Sequence, residues 1–297
     1  MNLSKHFLRK KISIILIVLI IIFTILTGCS NSSTTITYDT QQSNAGSSKT
    51  LMVHYIDVGQ GDSILVQVNN KNMLIDAGPG DHEENLISYL HKLNIKKLDY
   101  IIATHPHEDH IGNMDVVIKN FQVGEFWAPK ATATTKAFQN MINGLKSKNL
   151  KINVAKAGLT LNLGDNAKCE MLAPNNSQYE DVNNYSAVLK VTYGSTKFLF
   201  MGDAEKISEN EILSKGYDIS CDVLKVGHHG SVSSSSKNFL DKASPSIAVI
   251  SCGKNNDYGH PHKETLTEFK KRNYKIYRTD LDGTIVITSD GKTVKKK

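Results

Sequence analysis

Residues 104–112 read THPHEDHIG, which places three histidines and an aspartate inside the six positions 105–110. The stretch follows directly on the apolar run Tyr100-Ile101-Ile102-Ala103, the composition of a buried strand. In an H-x-H-x-D-H pattern behind a strand, His105 and His107 alternate to one side and offer two imidazoles to one metal ion. Asp109 and His110 then turn toward a second ion. A polar loop with surface histidines is the plain alternative, and the spacing argues against it. Histidine and carboxylate donors without thiolate suit zinc or manganese, so two divalent ions of either kind are expected.

Working outward, other segments repeat the arrangement of an apolar strand that stops at metal-ligand residues. They are Ile75-Asp76-Ala77-Gly78, Phe200-Met201-Gly202-Asp203 and Val226-Gly227-His228-His229-Gly230, with Gly259-His260-Pro261 following an apolar run over 247–251 after a short loop. Strand ends along one sheet edge converge, and ligands usually bind there. Six of the eleven histidines fall in these clusters, and none lies between His110 and His228. His54, His82, His91 and His262 read as surface or packing residues. Asp57 and Asp62 read either as support for the site or as turn caps. Ser231 and the serines at 233–236 read as caps for a helix starting near Lys237. Trp127 and the eleven tyrosines read as core packing rather than as platforms for bases.

Strand patterns cover residues 51–57, 63–68 and 72–76, the last two flanking an Asn69-Asn70-Lys71 turn, and then 98–103. Helical spacing covers 83–93, with Leu86, Leu90 and Leu93 on one face, and 133–147. Short strands are expected over 152–155, 159–163 and 169–172, a hairpin over 187–193 and 196–201 about Gly194-Ser195, and strands over 221–226 and 247–251. Helices are expected over 205–214, 237–243 and 263–272, and a last hairpin over 284–287 and Gly291. Strands followed by mixed strand and helix, twice over, predict two sheets packed face to face with helices outside.

The first fifty of the 297 residues read differently. Lys5, Arg9, Lys10 and Lys11 precede an apolar run over 12–26, and Leu26-Thr27-Gly28-Cys29 follows, the parts of a secretory signal. LTGC resembles a bacterial lipobox, which implies cleavage after residue 28 and a lipid anchor on Cys29 at the extracellular face of the cytoplasmic membrane. Residues 29–50, rich in Ser, Thr, Asn and Gln, read as a flexible tether, and 51–297 as one catalytic domain. Four of the 35 basic residues belong to the signal, leaving 31 against 29 acidic, a net charge near +2 and no general patch for nucleic acid. Cys169, Cys221 and Cys252 are too few and too far apart for a disulfide framework.

H-x-H-x-D-H with the earlier Asp-Ala-Gly and later Gly-Asp resembles the metallo-β-lactamase superfamily, whose α/β fold is an αββα four-layer sandwich. The stretches at 54–63 (HYIDVGQGDS), 183–186 (NNYS), 201–205 (MGDAE), 224–231 (LKVGHHGS) and 258–261 (YGHP) are similar to the hydrolase domain of ComEC-type competence proteins, from about Leu51 to the C-terminus. The resemblance implies that Asp203 bridges two metals, that His260 completes the second site and that Asp76 orients the histidine loop from behind. It implies that Asp109 orients the nucleophile or takes its proton, and that His228 or His229 protonates the leaving oxygen. The histidine that the wider superfamily carries before Gly-Asp is replaced by Asn183-Asn184-Tyr185-Ser186. His228 would then supply the missing donor, with Asn184 and Asp57 as supporting residues.

The expected activity is metal-dependent cleavage of a phosphodiester, with DNA the favoured substrate. A cell-wall phosphodiester such as phosphorylcholine on teichoic acid is the alternative enzyme reading, and β-lactam hydrolysis fits the motifs less well. A catalytically silent surface binding module is the alternative outside enzymes. No protein partner follows from the sequence.

Overall fold

In the computed structural model, which describes residues 50–297, strands β1 (Leu51–Tyr55), β2 (Ile64–Val68), β3 (Lys71–Ile75), β4 (Lys97–Ile102), β5 (Gln122–Ala128) and β6 (Ile152–Val154) lie in one sheet. Strands β7 (Thr160–Asn162), β8 (Ala167–Met171), β9 (Leu189–Tyr193), β10 (Thr196–Phe200), β11 (Val223–Lys225), β12 (Ile247–Ile250) and β13 (Lys275–Arg278) form a second. The closing hairpin, β14 (Ile285–Ser289) and β15 (Val294–Lys296), returns to the first. The orders are β15-β14-β1-β2-β3-β4-β5-β6 and β13-β12-β11-β10-β9-β8-β7.

The period-two side-chain alternation of a strand decides the layering. Tyr100 and Ile102 of β4, like Phe198 and Phe200 of β10, enter the core between the sheets. Their neighbours Ile101 and Leu199 face outward instead. Outside the first sheet, Leu86, Val117 and Met141 bring in the helices Glu83–Lys92, Met114–Asn120 and Lys136–Ser147. Outside the second, Ile212, Phe239 and Phe269 bring in Lys206–Ser214, Lys237–Ala243 and Lys263–Lys271. Helix, sheet, sheet, helix is the αββα sandwich.

Within each sheet part of the pairing is parallel, β3 with β4, β5 and β6 in turn, and β10 with β11, β12 and β13. Parallel neighbours end on the same side, so the segments after β3, β4, β10, β11 and β12 gather at one rim.

The turn after β2 has Asn69 and Asn70 at φ 51° and 60°, the paired left-handed residues that a two-residue hairpin needs. Two strands and three short helices do not follow from the sequence pattern. β5 carries polar residues and Gly124, and parallel pairing with β4 recruits it; a Cβ on Gly124 would stand 2.5 Å from the Asp99 carbonyl oxygen. β13 is the outer strand of the second sheet, with Lys275 and Arg278 at its ends. The helices Glu108–Ile111, Met114–Asn120 and Thr279–Asp282 are too short to show a period. The expected signal over 1–28, the lipidation site Cys29 and the tether through residue 49 lie outside the described residues. Among the described residues no helix is long and apolar enough to cross a membrane, and Cys169, Cys221 and Cys252 are free and buried.

Candidate metal centre

Asp203, just past β10, is the hub of the rim. Its Oδ1 lies 3.2 Å from His110 Nε2, and its Oδ2 lies 3.4, 3.8 and 3.9 Å from Nε2 of His229, His228 and His105. His229 Nε2 is 3.2 Å from Asp109 Oδ2, so that Asp109, His110, Asp203 and His229 offer ligand atoms all within 4.8 Å of one another. His110 Nε2, Asp203 Oδ1 and His229 Nε2 are buried without a hydrogen-bond partner. Buried polar atoms are rarely left so, and three of them turned on one another with no thiolate nearby fit a divalent cation. On the other side of Asp203, His105 Nε2 and His107 Nδ1 are 3.0 Å apart.

His110, His228 and His229 are aimed from behind. Asp76, itself at φ 59°, accepts from Thr104 N at 2.7 Å and Thr104 Oγ1 at 2.7 Å, and its Oδ2 is 2.8 Å from His110 Nδ1. That contact leaves His110 Nε2 for the centre, the arrangement by which a carboxylate fixes an imidazole tautomer. His228 and His229 both adopt left-handed backbone, φ 46° and 51°, a costly conformation for two successive histidines that clusters at functional sites. His229 Nδ1 donates to Ser251 O at 3.0 Å, and His228 Nδ1 meets Ser233 Oγ at 3.0 Å. Gly61 lets β2's leading loop press on the histidine loop, since a Cβ there would sit 2.2 Å from the Asp109 carbonyl oxygen.

Electrostatics follow from burial and proximity. Burial disfavours the charged His110 imidazole, yet the Asp203, Asp109 and Asp76 carboxylates outweigh it and hold the ring well above its ordinary value. His229 is likewise pushed up to about 10 against burial, by Asp203 and Asp109. Burial would raise Asp203, and His229 and His110 reverse that and hold it well below. His260 is taken down to about 4 by burial and by the neighbouring His229, His228 and His262. The carboxylates thus favour positive charge at this place, and a divalent cation would compete with protons for the same imidazole nitrogens.

The rim brings together Asp76, His105, His107, Asp109, His110, Asp203, His228 and His229. His229, and not His260, has its ligand atom within 4.8 Å of those of Asp109, His110 and Asp203. His260 stands beside it, ring centroids 6.2 Å apart, because the loop from β12 arrives behind the His228-His229 turn. Asn184 accepts from Glu205 N and Ser208 N, both at 3.3 Å, at the start of the helix Lys206–Ser214, and its Nδ2 donates at 3.4 Å to the Glu205 carboxylate, whose Oε1 lies 3.3 Å from His228 Nδ1. Asp57 is a turn cap, accepting from Gly59 N at 3.2 Å. Its companion Asp62 does reach the site: buried, it lies 3.5 Å from His229 Nδ1 and is ion-paired at 2.7 Å with the fully buried Lys225. The serines do not cap as expected, since Ser236 makes no side-chain cap and Glu209 accepts from Ser235 N and Ser236 N. Ser186 was not singled out, though its Oγ accepts from Asp203 N at 3.0 Å and lies 3.4 Å from His105 Nδ1. The signal for it was its place in NNYS, where the missing histidine would stand.

The centre opens into a cleft of about 700 Å³ walled in part by His107, Asp109, Asp203, His228, His229 and His260. Sandwich, rim and donor set together define a metal-dependent hydrolase. The metallo-beta-lactamase superfamily model matches residues 56–254, and the chain belongs to that superfamily. The chain is 34% identical to ComE operon protein 3 of Bacillus subtilis (strain 168) over 251 residues, 78% of this chain and 32% of that protein. It is 29% identical to Competence protein ComA of Neisseria gonorrhoeae over 237 residues, 77% of this chain and 31% of that one. The chain therefore spans about a third of the length of these relatives. Among solved structures, the metallo-beta-lactamase fold protein YhfI from Bacillus subtilis superposes with a TM-score of 0.55 at 14% identity, covering 80% of this chain and 99% of that one.

Proposed function

We propose that this chain is a phosphodiesterase that cleaves DNA outside the cytoplasm, held to the outer face of the membrane by a lipid on Cys29. The observation that carries the substrate is the similarity, over more than three quarters of this chain, to ComE operon protein 3 at 34% identity and to Competence protein ComA at 29%. The LTGC stretch behind a basic and apolar leader supports the location.

Asp109, His110, Asp203 and His229 would hold a divalent ion, zinc or manganese, and His105 and His107 would contribute to holding a second. When bound, such ions supply an activated water near neutral pH and Lewis-acid stabilisation of phosphoryl oxygens. The remaining work belongs to the protein. Asp76 and Ser251 fix the rings of His110 and His229, and Asp109, partly open to the cleft, orients the attacking water and accepts its proton. His228, 22% exposed in its side chain and held through Nδ1 by Ser233, presents Nε2 to hand a proton to the leaving oxygen.

A second reading has its own support. Asp81, Glu108 and Asp257 add carboxylates to the cleft wall, and none of the lining residues is Lys or Arg, which suits a zwitterionic phosphodiester such as phosphorylcholine on a cell-wall polymer. The test is full-length protein in detergent with Mn²⁺ or Zn²⁺, assayed on linear DNA and on a choline-phosphate diester beside Asp203→Ala. DNA cleavage that vanishes in the variant is expected. Folded, metal-loaded protein that leaves DNA intact overturns the DNA reading, and turnover of the choline ester then installs the second. A silent surface module would purify, without chelator, nearly metal-free.

A further inference from the structure

Tyr258 is the aromatic side chain in the cleft wall, and it is 66% exposed. Its ring stacks on His260 at 5.6 Å and 20°, and His260 in turn sits 5.4 Å from the His228 ring. The face of Tyr258 away from His260 meets solvent a short step from the metal centre. The loop that carries it is pinned. Asn256 Nδ2 donates to the carbonyls of Gly253 and His260 at 2.9 and 2.6 Å, its Oδ1 accepts from His260 N at 3.0 Å, and Gly253 N donates to Gln60 Oε1 at 3.0 Å. An exposed ring on a fixed backbone is pre-organised for a flat partner, since little entropy is lost when one arrives.

The charge of the cleft limits how a nucleic-acid strand could be held. Proteins that bind nucleic acid through the backbone neutralise phosphates with Lys and Arg. Here the wall offers Asp81, Glu108 and Asp257 beside the centre's own carboxylates, and, among the described residues, its positive charge comes from histidines and not from Lys or Arg. A nucleic-acid strand can then be held at the scissile phosphate, where metal charge would lie, and by contacts that need no charge. Base stacking on an aromatic ring is such a contact, and it tolerates any sequence.

We infer that Tyr258 is a stacking platform for the nucleobase next to the scissile phosphate, so that the cleft distinguishes phosphodiesters that carry a base there from those that do not. This rests on the phosphodiesterase reading above. It adds a binding residue to the side of the cleft formed by His228 and His260, and it implies weak salt dependence, because few phosphates are neutralised by the protein.

The experiment compares kcat/KM of the full-length, metal-loaded protein on a labelled single-stranded oligonucleotide and on a copy of equal length built from base-free tetrahydrofuran residues. Wild type, Tyr258→Phe and Tyr258→Ala are each measured. Wild type and Tyr258→Phe favour the base-bearing strand by on the order of tenfold or more, the range expected for one stacked base. Tyr258→Ala brings that ratio toward one, the base-bearing strand losing more than the base-free one. Tyr258→Leu, which keeps apolar bulk without a ring, follows alanine. A ratio that survives in Tyr258→Ala, or equal slowing on both strands, overturns the platform. If wild type cleaves neither strand, the DNA reading fails and the platform falls with it.

Discussion

At the scale of single residues, the least conspicuous participant is Lys225. Its ammonium group is fully buried, 2.7 Å from Asp62 and 3.0 Å from the Val226 carbonyl, and Asp62 in turn lies beside His229. Replacing Lys225 by Met keeps the volume and strands the Asp62 carboxylate without its counter-charge. Breaking one side of a buried pair in this way costs about 3–5 kcal/mol, whereas replacing both partners by apolar groups is often close to neutral. Urea unfolding should therefore show Lys225→Met well below wild type and Lys225→Met/Asp62→Leu recovering part of the loss. A single variant within about 1 kcal/mol of wild type would mean that water or another group already solvates Asp62. Such a pair is illegible in sequence. The crowding at 104–112 announces ligands by local spacing, but Lys225 and Asp62 meet across 163 positions and look like ordinary strand and turn residues until the sheets are stacked.

At the scale of elements, the turn bearing His228 and His229 depends on a neighbour for its far end. Glu209, buried in the helix Lys206–Ser214, accepts from Ser235 N and Ser236 N at 2.5 and 2.9 Å, immediately ahead of the helix Lys237–Ala243. The serines themselves leave that work undone, and the sequence suggested otherwise because serine before a helix is the usual cap. Glu209→Ala would leave two amides without an acceptor at a cost of about 1–3 kcal/mol, and Glu209→Gln, which keeps an acceptor of the same shape, should cost less. Thermal or urea unfolding checks both, and an alanine variant as stable as wild type would show that the amides find other partners. The same scale explains what periodicity reached. Strands that end in apolar runs, such as β4 and β10, and the helices Glu83–Lys92 and Lys136–Ser147 were readable because one face of each must be dry. β5 and β13 were not, since parallel pairing and not their own pattern holds them.

At the scale of the whole molecule, the centre is a joint between the two sheets. His105, His107, Asp109 and His110 follow β4 of the first sheet, while Asp203 follows β10 and His229 follows β11 of the second. A cation held by this set would cross-link the layers at one rim, opposite charges that the apolar core between them cannot provide. Because the ligands meet in the folded chain and are far apart along the sequence, binding is linked to folding. A ligand at a hundredfold excess over its dissociation constant adds about 2.7 kcal/mol to stability. For a domain of this size each kcal/mol moves Tm by roughly 2–4 °C. Tm should therefore climb by about 5–10 °C when Mn²⁺ or Zn²⁺ is added to chelator-treated protein, and continue to rise with the logarithm of metal concentration. Asp203→Ala, which removes the carboxylate that His105, His110, His228 and His229 surround, should flatten that dependence whether or not the substrate is known. Identical melting curves for wild type with and without metal, in protein shown by elemental analysis to bind it, would mean that the unfolded chain holds the ions as tightly as the folded one and that the folded cluster is not the site.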